Sequence, residues 1–233
     1  MAVDDRDDGL LRRVREIDDL LRVLGMPAGV EDDEAIRRRE HDRIAVRLRA
    51  GDDTAKQVPW RAELALIDAG PKLYPDERIT ETSTRTIAGR QFRVGLESHA
   101  VTAGEVWLFD PASRVLASGD LVTLPAPLFD TACAERWKSA IDRLGGIDFK
   151  VLVPGHGATM GRADLATYRR AFDRLLECAT SKSPKQACVD GWMHDAAALI
   201  PADDEKLARS LLDYYIDGNL RGDAAQKTKL CGA

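Results

Sequence analysis

Between Arg78 and Asp120, short alternating runs follow one another with only turn-length gaps. No other feature constrains the fold as much. Ile79–Ile87 is rich in Thr and alternates weakly, and Ala88-Gly-Arg-Gln is a turn. Phe92, Val94 and Leu96 then alternate as a strand, ending near His99. Val101-Thr-Ala-Gly leads into an apolar strand over Glu105–Phe109, and Asp110-Pro-Ala-Ser is a hairpin turn. Val115–Ser118 is another short strand, ending in Gly119-Asp120. A parallel crossover needs a dozen or more residues. Strands joined this tightly therefore pair antiparallel, as a meander and not as a Rossmann alternation.

The flanks have a different character. Leu10, Val14, Ile17, Leu21 and Leu24 recur at helical spacing, with Gly25 and Pro27 as the stop. A second helix is expected from Asp32 or Asp33 to about Arg49, and a short third over Trp60–Asp68. After the meander, Trp137, Ile141 and Leu144 mark a helix over Ala132–Leu144, stopped by Gly145-Gly146. Phe149–Val153 reads as a short buried strand running into Pro154-Gly-His-Gly-Ala. Leu165, Tyr168, Phe172, Leu175 and Leu176 form the stripe of a long helix over Ala163–Cys178. Two further helices are expected over 186–199 and 203–221, and their apolar residues, including Trp192, Leu212 and Tyr215, fit packing on the body or on a second copy. The chain thus divides into a helical segment at 1–73, a mixed α/β body at 74–180 and a helical tail at 181–233.

The 233-residue chain has a net charge of −5, which argues against a nucleic-acid partner. No run of 18 apolar residues occurs, so no membrane span is expected. The acidic opening Met1-Ala-Val-Asp-Asp-Arg-Asp-Asp lacks the apolar core of a secretory signal. Cys178 and Cys188 flank a Ser-Lys-Ser-Pro-Lys turn between helices. This spacing leaves a bridge and two free thiols equally open. A bridge would place the protein in an exported or periplasmic setting, and free thiols in the cytoplasm. Cys133, ahead of a helix and without a histidine nearby in sequence, is expected to be a buried thiol.

Three potential ligands stand at strand ends beside glycines: His99, Asp120 after Gly119, and His156 between Gly155 and Gly157. Glycine lets the backbone pass close to an ion. Imidazole and carboxylate together suit zinc, iron or manganese. His194, in Gly191-Trp-Met-His-Asp, reads as structural, and His41 as a solvated residue in a charged helix.

Those three segments resemble motifs of the metallo-β-lactamase superfamily, in the family's order. Phe92-Arg-Val-Gly-Leu-Glu-Ser-His99 with the strand to Phe109 is similar to the motif in which a strand delivers a histidine ligand. Val115-Leu-Ala-Ser-Gly-Asp120 is similar to the motif whose aspartate bridges two metals. Val151-Leu-Val-Pro-Gly-His156-Gly is similar to the last histidine loop. The resemblance covers residues 75–176 and implies part of an αββα sandwich. It further implies two zinc ions, with His99 on the first, His156 on the second and Asp120 bridging them as the catalytic carboxylate. The bridging water would be the nucleophile, and small-molecule esters, thioesters, lactones, β-lactams, phosphodiesters or sulfate esters the substrates.

The family's His-x-His-x-Asp-His run has no counterpart in residues 1–98. Three explanations stand open: a piece of a longer hydrolase, a degenerate relative without chemistry, or a site completed by a second chain. The alternative to a hydrolase is a helical, self-associating binding module, which forms a homo-oligomer such as a dimer.

Overall fold

The computed structural model describes residues 78–232, together with Arg61, Ala62, Ala65 and Ala69. Those four are helical, three of them inside the helix expected at 60–68. The helices expected earlier in the chain, and His41, lie outside the described residues. Residues 79–232 fall within one compact unit.

Among the described residues, five strands form one sheet in sequential order: β1 (Ser83–Ile87), β2 (Arg90–Ser98), β3 (Gly104–Asp110), β4 (Val115–Thr123) and β5 (Val151–His156). The first four pair antiparallel, as the short turns require. Between β4 and β5 lies helix α1 (Ala134–Gly145), and this longer connection lets β5 join β4 in parallel. Then follow α2 (Arg162–Thr180), α3 (Lys185–Asp195), α4 (Glu205–Tyr215), a π-helical turn at Ile216–Leu220, and α5 (Ala224–Leu230). The expected helix at 186–199 ends at Asp195, with a separate 3-10 turn at Ala197–Leu199. Helix α5 was not expected from periodicity, because it buries no residue.

One apolar core joins the sheet to the helices. Trp107, Leu116 and Leu152 of the sheet meet Trp137 and Ile141 of α1, Tyr168 and Phe172 of α2, Trp192 of α3 and Leu212 of α4. Phe129 and Phe172 both stack near Trp137, with ring centroids 5.1 Å from it in each case. The reverse face of the sheet is apolar too. Val115 and Ala117 pack with Val151 and Val153, and Phe92 and Val94 with Leu108. Strands that are apolar on both faces belong to the middle of a layered fold.

Across β2 and β3, Gly95 stands opposite Trp107. A Cβ on Gly95 would overlap the indole, so the ring fills the space that a side chain would take. Trp107 Nε1 donates to Glu97 Oε1 at 3.2 Å, and Arg143 of α1 donates to Glu97 Oε2 from Nε at 2.9 Å. This buried carboxylate therefore ties β2, β3 and α1 together.

Candidate active site

Two of the three expected ligands meet near the carboxyl ends of β4 and β5. His156 Nε2 lies 3.6 Å from Asp120 Oδ1. The side chains retain 59% and 37% of their exposure, so the pair opens to solvent. Crevices beyond the carboxyl ends of parallel strands are where α/β sheets bind ligands. Asp120 does not end its strand, as the sequence suggested. Strand β4 runs on to Thr123, with register shifts after Ala117 and Gly119. Gly119 has φ +54, which makes this irregularity cheap. Likewise β5 includes His156, which pairs with Thr123.

Gly155 sets the spacing. A Cβ there would overlap Asp120 Oδ1 and lie 2.8 Å from Gly119 C and 2.9 Å from Asp120 N. Around the pair, Thr123 Oγ1 donates to the Asp120 carbonyl at 2.9 Å, and Leu124 N–H donates to the His156 carbonyl at 3.1 Å. Thr123 N–H in turn donates to the hydroxyl of the fully buried Tyr168 at 3.3 Å. Burial, with Asp120 nearby, pushes that phenol's pKa up, so it stays neutral. Tyr168 thus anchors the end of the strand that carries Asp120.

Sequence reasoning missed one residue here. Glu105, the second residue of β3, is 1% exposed and accepts from Thr102 Oγ1 at 2.6 Å through Oε1. Its Oε2 is buried without a hydrogen-bond partner. Burial, with a smaller contribution from the Asp120 charge, raises its pKa from 4.5 to about 7. The signal was available. Glu105 shares alternation parity with Trp107 and Phe109, so it had to face the core with them.

His99 follows β2 with φ +57, and its N–H donates to the Ala103 carbonyl at 3.1 Å. Among the described residues, no three of His, Cys, Asp and Glu come together in a way that could hold a metal. Instead, the His99 ring lies against Gly232. Catalytic zinc usually takes three protein ligands. Asp120 and His156 are suitable donors for such an ion, but two donors fall short of that shell. His194, on α3, has Nδ1 3.1 Å from Asp195 Oδ1.

The cysteines are paired. Cys178 and Cys188 form a disulfide, closing the turn between α2 and α3. The expectation of a free Cys133 thiol is corrected: Cys133 bonds Cys231. These two are 98 residues apart in sequence, so no local pattern could announce the partnership.

Solved structures similar to this chain include metallo-β-lactamases. A metallo-β-lactamase from Pontibacter korlensis is 27% identical, over 47% of this chain and 54% of that one, with a TM-score of 0.38. A β-lactamase domain protein from Burkholderia ambifaria is 21% identical, over 72% of this chain and 54% of that one, with a TM-score of 0.42. A stereoselective inverting sec-alkylsulfatase from Pseudomonas sp. is 18% identical, over 63% of this chain and 27% of that one, with a TM-score of 0.40. The match spans about half the length of the first two of these proteins and about a quarter of the third. No family model and no curated protein matches the chain.

Proposed function

We propose that this chain carries part of the centre of a metal-dependent hydrolase, with Asp120 and His156 as a two-donor subsite for zinc. The further ligands would come from outside the described residues or from another chain. The observation that carries this reading is the solvent-open Asp120–His156 pair near the carboxyl ends of two parallel strands, where Gly155 leaves room for the carboxylate. A small-molecule ester, thioester, lactone or β-lactam is the substrate class, taken from the resemblance of the three motifs. Two disulfides support an oxidising, exported setting.

The test is zinc titration of chelator-stripped protein, alongside a panel of chromogenic esters, lactones and cephalosporins. Wild type should take up at least one equivalent of zinc. Asp120→Ala and His156→Ala should each weaken uptake and abolish any zinc-dependent turnover. Uptake unchanged in both variants would rule the pair out.

A second reading is favoured by the His99 ring, which rests on Gly232 instead of joining a ligand group. In that reading the chain is a non-catalytic, self-associating module. It requires that His99→Ala and His156→Ala leave oligomeric state and melting temperature unchanged in zinc buffer, since a bound ion would stabilise the native state.

A further inference from the structure

Helix α5 is held to the body in an unusual way. It buries no side chain, and a seven-residue helix without a buried apolar face is not stable by itself in water. Asp223 caps its start, accepting from Ala225 N–H at 3.1 Å, and Lys227 Nζ donates to the Leu220 carbonyl at 2.6 Å. Both bonds are local to the segment. Two features reach further, and both address the loop of His99. Cys231 is bonded to Cys133, whose N–H donates to the Ala100 carbonyl at 2.9 Å. The next residue, Gly232, lies on the imidazole itself. A Cβ built there would stand 2.7 Å from His99 Nε2 and 2.9 Å from Cδ2 and Cε1. Gly232 has φ +75, so glycine supplies both the backbone conformation and the close approach.

We propose that Cys133–Cys231 is a redox latch that holds residues 224–232 as a strap over His99, and that reduction uncovers the imidazole. Cys133 is 2% exposed, whereas Cys231 is half-buried, so a thiolate attacks the Cys231 sulfur. Cys133 leaves as the thiolate and takes up a proton. The second thiol of a dithiol reductant then resolves the mixed disulfide. Two electrons and two protons pass to the protein, and the reductant ends as its own disulfide. Without the bond, the local contacts of α5 cannot keep Gly232 on the ring. With it, the face of His99 at Nε2 is closed to a cation or a substrate. That last consequence rests on the hydrolase reading, but the latch itself does not.

The experiment is acylation by diethyl pyrocarbonate of the full-length, metal-free protein, with each histidine followed by peptide mass spectrometry. His194, whose side chain is 87% exposed, is the internal reference. In the oxidised protein His99 should react about tenfold more slowly than His194, as expected of a site reached only by local opening. A dithiol reductant should bring His99 close to the His194 rate, and Cys231→Ser should do so without reductant. The double variant Cys178→Ser/Cys188→Ser should leave His99 protected. Equal His99 rates in the oxidised and reduced forms, with thiol titration showing both bonds open, would overturn the latch. So would a gain accompanied by loss of near-ultraviolet dichroism, which is global unfolding. If Cys231→Ser fails to fold, the reduced wild type carries the same comparison. Zinc affinity measured in parallel separates the two ideas: a freed His99 with no change in zinc affinity keeps the latch and refutes His99 as a ligand.

Discussion

Gly155→Ala is the smallest change that tests the candidate site. The added methyl would sit 2.8 Å from Gly119 C and 2.9 Å from Asp120 N, both backbone atoms of the neighbouring strand. Ordinary carbon contacts begin near 3.5 Å, so β4 and β5 must part by roughly 0.6 Å at this point. Overpacking of this kind costs about 1–3 kcal/mol. Alanine recovers about 0.4–1 kcal/mol through the unfolded chain. The overpacking wins, leaving a net loss of about 1–2 kcal/mol, which lowers the melting temperature by about 2–8 °C in a domain of this size. The same methyl overlaps Asp120 Oδ1, so the carboxylate must turn away from His156. Disturbing a supporting group of a metal site typically costs about 10–100-fold in affinity. Thermal melts of metal-free protein and zinc competition against a chromophoric chelator read the two effects separately. A Gly155→Ala protein that melts at or above wild type and holds zinc equally well would refute the reasoning that Gly155 brings Asp120 and His156 into one site.

Other outcomes follow from the same structure. Because burial raises the Glu105 pKa from 4.5 to about 7, the native state holds a proton that the unfolded chain releases. The Glu105 contribution to stability is therefore full below pH 4.5 and is lost as pH rises through about 7, by up to about 3 kcal/mol. Glu105→Gln should remove this decline in metal-free protein, and a variant that loses as much unfolding free energy as wild type between pH 5 and pH 8, read by denaturant titration, would contradict it. Gly95→Ala should displace the Trp107 indole and cost about 2–3 kcal/mol, read by urea unfolding, and an unchanged midpoint would show the ring to be free to move. Removing the Cys178–Cys188 bond should cost about 2–3 kcal/mol, since it closes a short loop, and a loss well below 1 kcal/mol in denaturant titration would count against it.

Several elements were legible from the residues alone, because their causes are local. Turn-length gaps between alternating runs dictated the antiparallel meander, and the stripe from Leu165 to Leu176 dictated α2 and its buried face. The glycines beside Asp120 and His156 marked the irregular ends of β4 and β5, although the strands run on through both ligands. Glu105 was legible by parity, but its burial without a partner for Oε2 was not.

What tertiary structure alone decided is which distant residues meet. His99, Asp120 and His156 look equivalent in the sequence, each a polar residue at a strand end. Parallel pairing of β4 with β5 joins the last two, because adjacent strands bring their carboxyl ends together. His99 closes β2, two strands away from β4 in the sheet, and its ring meets Gly232 instead. That contact depends on the bond between Cys133 and Cys231 across 98 residues. Sequence periodicity reports on neighbours a few residues apart and carries no information about closure over such a distance.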